Sequence, residues 1–486
     1  MIRRHLHLLY LIPLLALSAC STNPATGKQS FTAFMSPEKE RQVGAAEHPK
    51  IIKGYGGDYG EQKLRSYVRH IGKSLAAVSE VPDLPYRFTI LNDEKVNAFA
   101  LPGGYVYITR GLLALADSEA EMAGVLAHEI GHIAARHTAQ RYSTEMATNI
   151  GLTLLGVLGS AAGVPSGVGQ AVSLGAQAAV RSYSREQELE ADMLGVRYMT
   201  RTGYDPGAMT SFFQKLDAHS RLEARQAGEE GVGHNIMATH PRTADRIQQA
   251  AVLAKTTPVA NPRKGQLAYL DQIDGMTFGD DPSQGVRRGR VFLHPELRIR
   301  FEVPSGFTMQ NFPDQVVARD SHKSEIIFDL VDGKSAPQIG ALRGYLSRVY
   351  GRGLAIENLE RLDINGMEAA TGQARLNGRD IRLLVIRQDR DRIYRLAIVS
   401  LPSETHRRNE DFRRTTFSFR RLSAAEADAI RPLRLSVATV KPGDTPAKFA
   451  ARMPIEGFRQ EWFDVLNGLR PGQRLEPGTP VKIVIE

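Results

Sequence analysis

The chain has 486 residues, 42% hydrophobic and 24% charged, which excludes wholesale disorder and suggests about two to four domains. Its net charge of +9 falls to +7 if a leader carrying Arg3 and Arg4 is removed, a basic excess that fits an anionic envelope surface or acidic substrates. With no RNP, zinc-finger or helix-turn-helix signature, nucleic acid is not an expected partner, and a single cysteine, Cys20, excludes a disulfide framework or a cysteine-based metal cluster.

Met1 to Cys20 reads as a targeting segment, with Arg3 and Arg4 ahead of a short apolar run, Leu8 to Leu17. Its end, Leu17-Ser18-Ala19-Cys20, resembles the lipobox of bacterial lipoproteins. That resemblance implies cleavage before Cys20 and acylation of that residue, and two or more acyl chains give stable anchoring where one does not. Ser21, in place of Asp, favours the outer membrane by the same resemblance, so the expected location is periplasmic and lipid-anchored.

Residues 21–35 are polar and turn-rich and read as a tether. Leu64, Val68, Ile71 and Leu75 then recur at helical spacing. Tyr86–Asn92 and Ala98–Arg110 read as strands, the second broken at Pro102-Gly103-Gly104. A helix is expected from Ser118 to Tyr142, opened by a Ser118/Glu121 capping box. Residues 146–180 carry no charged side chain, but seven glycines and Pro165 argue for an apolar loop and helix over the site rather than a membrane span. Further helices are expected over Ser184–Thr202 and from His240-Pro241 to Leu253. Residues 255–292 read as a linker, and 293–422 as an α+β domain, with strands such as Met367–Leu376 and Tyr394–Ser400 and helices near 339–350 and 404–414.

The chemistry concentrates in His128-Glu129-Ile130-Gly131-His132, an H-E-x-x-H in which i and i+4 imidazoles share a helix face and can reach one cation. Glu129 beside them can take a proton from an activated water. A catalytic zinc needs a third protein ligand and an open position. His137 falls outside the spacing that would supply it from the same helix and reads as a solvated residue, or as a support behind a ligand. The segment from Ser184 to Asp192 offers Glu188 and Asp192, again i and i+4, so that one can ligate while the other orients a ligand histidine. Glu186 and Glu190 read as solvated.

Taken together, Asn97-Ala-Phe-Ala-Leu-Pro-Gly-Gly104, Thr109-Arg-Gly-Leu-Leu113, the H-E-x-x-H and the E-x-x-x-D at Glu188 resemble the HtpX- and BepA-like zinc metallopeptidases, gluzincins related to the CAAX prenyl endopeptidases. The resemblance runs from about Ser36 to Leu253. It implies one zinc held by His128, His132 and Glu188, Asp192 behind them, Glu129 as general base, and extended peptides of envelope proteins as substrates. These would pair with the strand near Ala98–Ala100 or Tyr105–Thr109. In relatives of the BepA type the His-Pro histidine, here His240, covers the zinc and holds the enzyme latent. His240 and Arg246 are otherwise candidates for oxyanion support, and His240 for a helix cap.

Val440-Lys-Pro-Gly-Asp-Thr445, Leu466-Asn-Gly-Leu469 and Val481-Lys-Ile-Val484 resemble a LysM module, a small βααβ fold. That resemblance makes peptidoglycan a candidate partner, while the long middle around Arg452-Met453-Pro454 leaves a structural or protein-docking role open. The block 293–422 is weakly similar to PsbP-like sandwiches. The expected architecture is therefore α+β: residues 1–20 a leader, 21–35 a tether, 36–254 a mostly helical metallopeptidase domain with a small edge sheet, 255–292 a linker, 293–422 a sandwich-like domain, and 435–486 the LysM-like unit. The expected activity is that of an envelope zinc endopeptidase on misfolded or stalled proteins, with a peptidoglycan-associated adaptor or chaperone, its protease site normally latent, as the alternative.

Overall fold

The computed structural model describes residues 20–148, 182–227, 240, 244–331, 344, 346, 354–389, 392–470 and 472–486. The leader, most of the uncharged stretch 146–180 and most of the expected helix near 339–350 lie outside these residues. The chain is α+β and divides into two compact units, one formed mainly by residues up to Met276 with Leu435–Ile485, the other mainly by Thr277–Arg434. No helix among the described residues is long and apolar enough to cross a membrane.

In the first unit, β1 (Cys20–Thr22) pairs antiparallel with β2 (Gln29–Phe31), and Ala25 and Met35 are buried. The expected tether is therefore a folded hairpin. Helix α1 spans Pro37–Gly54 and α2 spans Gln62–Ala77. Leu64, Val68, Ile71 and Leu75 all lie on the buried face of α2, as the 3.6-residue period requires. Strands β3 (Arg87–Leu91), β4 (Ala98–Leu101) and β5 (Tyr105–Thr109) form a sheet in the order β3-β5-β4, with β5 parallel to β3 and antiparallel to β4. Because β5 is paired on both sides, it has no free edge to offer a peptide, and only β4 keeps the role expected of either strand.

Helix α3 (Arg110–Leu115) leads through a short turn into α4 (Glu119–Ala134), which carries the H-E-x-x-H. Ser118 caps α4 by accepting a hydrogen bond from the Glu121 amide at 3.2 Å. The reciprocal half of the expected box is displaced, because Glu121 accepts from the Asp117 amide, at 2.8 Å, and from Ser211 Oγ. The helix also stops earlier than its pattern suggests. Ala135 and Arg136 form a turn, with Arg136 at φ +57°, and helical conformation resumes at residue 137.

Helix α5 (Arg185–Arg201) starts at a complete capping box, Ser184 with Gln187. Gly131 of α4 and Gly195 of α5 permit close contact between the two helices. A Cβ at Gly131 would lie 3.0 Å from Ala191 O, and one at Gly195 would lie 3.2 Å from His128 N. Helix α6 (Gly207–Ala227), absent from the sequence expectations, buries Met209, Phe212, Phe213 and Leu216. Helix α7 covers Ala244–Thr256, and α8 (Gln266–Ile273), with Tyr269 and Ile273 buried, lies inside the expected linker. The linker is thus partly a packed element of the first unit.

The C-terminal segment has the order strand Leu433–Thr439, helices Pro446–Arg452 and Arg459–Leu466, and strand Pro480–Ile485. From Leu435 on it belongs to the first unit rather than forming a separate domain. A buried lysine explains this. Lys482 Nζ donates to the carbonyls of Ala114, Leu115 and Ala116 at 2.8, 2.9 and 2.7 Å and pairs with Asp117 at 2.8 Å. It thereby satisfies the orphan carbonyls at the end of α3 and braces the turn into α4. Lys215 of α6 joins the same cluster through Asp117 and the carbonyls of Leu115 and Leu466. Burial pushes Lys482 down to about 8, against the pull of Asp117.

The second unit contains a seven-stranded antiparallel sheet from Thr308 to Ser400 and a four-stranded antiparallel sheet that includes Val286–Arg288, Val291–His294 and Ile299–Glu302. Phe292, Phe301, Phe328, Tyr394 and Phe419 form the centre of its main core. The unit begins before residue 293, because Val286–Arg288 and Val291–His294 belong to its four-stranded sheet, and it runs on past 422 to Arg434.

Replacing Lys482 by Met takes this donor from the carbonyls of Ala114 and Ala116 and leaves Leu115 O to Lys215 alone, while keeping the stem's volume. We expect a loss of about 2–4 kcal/mol in the first unit, read as a lower urea midpoint. A midpoint within error of wild type would show that this anchor contributes nothing.

Candidate metal centre

Four side chains from three places in the chain converge: His128 and His132 from α4, Glu188 from α5, and His240 just before α7. One donor atom from each lies within 4.8 Å of the others. His128 Nε2 is 3.0 Å from His132 Nε2 and 3.3 Å from His240 Nδ1. Glu188 Oε1 is 3.4 Å from His132 Nε2 and 2.9 Å from His240 Nδ1. All four residues are buried.

The second nitrogens of both α4 histidines already face other groups. His128 Nδ1 is 2.9 Å from Asp192 Oδ1, and His132 Nδ1 is 2.8 Å from His137 Nδ1. The Nε2 atoms of both face a common point shared with Glu188, an arrangement of nitrogen and carboxylate donors that suits zinc. The ring of His132 is held flat by Tyr183, stacked at 3.7 Å with Arg141 over the tyrosine ring.

Glu129 is wholly buried, and neither of its carboxylate oxygens finds a hydrogen-bond donor among the described residues. Its Oε1 lies 3.5 Å from His240 Nε2. Burial raises its pKa, against the pull of His240 and His128. Such a carboxylate is costly unless something in the site uses it.

Arg246, on α7 and 2% exposed, donates from Nε and Nη2 to Asp192, both at 2.7 Å, and from Nη1 approaches Glu188 Oε2 at 2.5 Å. Burial alone would push Asp192 up, but Arg246 outweighs it and holds the carboxyl below its ordinary range. Glu188 behaves alike: burial opposes its charge, and His240, His132 and Arg246 overcome it. The candidate oxyanion donor Arg246 is thus committed to two carboxylates and orients them. An apolar cavity lined by Val125, Met209, Phe212, Phe213 and Leu216 adjoins Glu129 and His240.

Two residues outside the expected ligand set join this centre: Glu190, read as solvated, and His137, read as solvated or as a support behind a ligand. His137 is fully buried against His132, and Glu190 lies 3.4 Å from His137 Nε2. No local sequence signal reveals this, because the helix stop after Ala134 that brings residue 137 back toward 132 is set by tertiary contacts of Arg136.

Residues 62–254 match the model of Peptidase family M48. This part of the chain is therefore similar to the zinc-dependent metallopeptidases of that family, and the His128, His132, Glu188 and His240 cluster falls within the matched residues. Among curated proteins the chain is similar to the beta-barrel assembly-enhancing protease of Yersinia pestis, 34% identical over 229 residues, 45% of this chain and 45% of that protein. It is similar also to the protein of the same name from Escherichia coli (strain K12), 31% identical over 228 residues, 46% of this chain and 45% of that one. A third relative is the mitochondrial metalloendopeptidase OMA1 of Schizosaccharomyces pombe, 30% identical over 232 residues, 46% of this chain and 64% of the relative. The chain thus spans somewhat under half the length of the bacterial relatives it matches. Among solved structures, a comparison with cyanobacterial PsbP from Synechocystis sp. PCC 6803 gives 13% identity and a TM-score of 0.22 over 29% of this chain and 98% of that one, a level that assigns no fold.

Proposed function

We propose that this protein is a lipid-anchored periplasmic zinc endopeptidase that cleaves misfolded or stalled proteins of the cell envelope. The observation that carries the reading is the convergence of His128 Nε2, His132 Nε2 and Glu188 Oε1 beside the buried Glu129 carboxylate, which has no hydrogen-bond donor among the described residues. The similarity to two proteases named for β-barrel assembly supports an envelope substrate.

His128, His132 and Glu188 would hold the zinc, which when bound lowers the pKa of water to about 7 and polarises a carbonyl. The remaining work belongs to the chain. An extended substrate adds to the free edge of β4, so that backbone hydrogen bonds fix the scissile amide while a side chain enters the cavity formed by Met209, Phe212 and Phe213. Glu129 takes a proton from the attacking water on a carboxylate oxygen and passes it to the departing amine nitrogen. Asp192 fixes His128 through Nδ1, and Arg246 keeps Asp192 and Glu188 ionised and in place.

His240 favours a latent resting state. Its Nδ1 lies among the ligand atoms and its Nε2 faces Glu129, so it fills the position that water and substrate need. This geometry also supports the second reading, an adaptor or chaperone whose protease site is normally shut. The βααβ order of the C-terminal segment supports the LysM resemblance, and with it peptidoglycan as a partner.

Glu129→Gln should retain one zinc per chain and abolish casein digestion, since only the base is lost. Digestion at the wild-type rate would refute the mechanism. Cys20→Ser should lose palmitate labelling and leave the membrane fraction; labelling that persists rules out the anchor. His240→Ala should raise basal proteolysis. If instead cleavage slows by about 10²–10³-fold at an unchanged melting temperature, His240 is an oxyanion donor and the latch is wrong.

A further inference from the structure

We propose that His137, Glu190 and Asn23 form a one-directional hydrogen-bond relay that fixes the tautomer of His132 and makes the N-terminal hairpin part of the metal centre's frame. The proposal rests on the reading of His132 as a zinc ligand.

The relay follows from counting donors and acceptors. His132 Nδ1 and His137 Nδ1 lie 2.8 Å apart in a site from which water is excluded, so one must donate and the other accept. If His137 donated, a neutral His137 would turn a bare Nε2 lone pair toward Glu190 Oε2, 3.4 Å away, and His132 would carry its proton on Nε2, where it could not bind a metal. The opposite direction satisfies every group. His132 Nδ1–H donates to His137 Nδ1, and His137 Nε2–H donates to Glu190 Oε2. Asn23 Nδ2–H donates to Glu190 Oε1 at 3.1 Å. The Asn23 amide cannot be turned round, because its Oδ1 accepts from the Ala25 amide at 2.9 Å. His132 Nε2 is thereby left as a lone pair facing the site, the same outcome that Asp192 secures for His128.

The backbone is shaped to make this contact. Arg136 holds a left-handed φ of +57°, which costs a non-glycine residue about 1 kcal/mol or more. Its guanidinium is fastened to Ser21 Oγ at 2.9 Å, to Met35 O at 2.7 Å and to Glu40 at 3.2 Å. The turn that returns His137 to His132 is therefore held by the same hairpin that supplies Asn23. Asn23 is 2% exposed and stands three residues from Cys20, so the segment after the expected acylation site is fixed against the metal centre rather than acting as a leash.

The test measures zinc affinity of the full chain by chelator competition, with the melting temperature of the zinc-free protein alongside. His137→Leu should weaken zinc binding by about 10–100-fold, and Glu190→Gln and Asn23→Ala by smaller factors in the same direction. Nitrogen-15 shifts of the zinc-free wild type should show His132 protonated on Nδ1. A wild-type His132 protonated on Nε2, or unchanged zinc affinity in His137→Leu, overturns the relay. Should His137→Leu not fold, Glu190→Gln decides, and unchanged affinity there is equally fatal. Failure of the wild type to bind zinc would overturn the metal reading itself, an outcome distinct from zinc binding that the variants leave unaltered.

Discussion

Everything in the candidate site depends on the close contact between the helices that carry His128/His132 and Glu188/Asp192. Gly131 and Gly195 have no side chain where one would meet the backbone of the opposite helix. That approach brings two carboxylates and two imidazoles into a space from which solvent is excluded, and it creates an electrostatic problem. Buried carboxylates are tolerated only when paired. Arg246 resolves it for Asp192 and Glu188, while Glu129 has no hydrogen-bond donor among the described residues. The site thus separates a carboxylate pair that positions from a single carboxylate that can react.

The surrounding elements act as a frame for this helix pair. At its leading end, the turn into the H-E-x-x-H helix is braced by Lys482 and Lys215 through Asp117. At its trailing end, the turn at Arg136 is fastened to the hairpin after Cys20. Chain segments 460 residues apart by number therefore hold opposite ends of one helix. This explains why the C-terminal βααβ segment belongs to the same compact unit as the peptidase domain, although the sequence reads as a separate module.

What could be read in advance follows physical rules of short range. The period of Leu64, Val68, Ile71 and Leu75 marked a buried helix face, and the i, i+4 pairs His128/His132 and Glu188/Asp192 marked two faces that could meet. The β4–β5 break at Pro102-Gly103-Gly104 was legible from turn chemistry. What could not be read depends on tertiary contacts. Nothing local shows that the 118–142 pattern is interrupted after Ala134, since Arg136 takes its left-handed conformation only with Ser21, Met35 and Glu40 around it. Glu190 consequently reads as solvated, and His137 as either solvated or a support behind a ligand, although His137 sits behind His132 and Glu190 behind His137. Lys482 reads as an ordinary strand lysine, because its partners lie more than 360 residues earlier. Tyr269 in a segment rich in Gly, Pro and charge likewise gave no sign of a packed helix.

The central claim is that His128, His132 and Glu188 hold a zinc ion among nitrogen and oxygen donors alone. Zinc-edge X-ray absorption of the zinc-loaded full chain tests it directly. The account predicts one zinc per chain with light donors at about 2.0–2.2 Å and the outer-shell scattering of two or three imidazoles. A sulfur scatterer at about 2.3 Å, or a chain that retains no zinc, would contradict it.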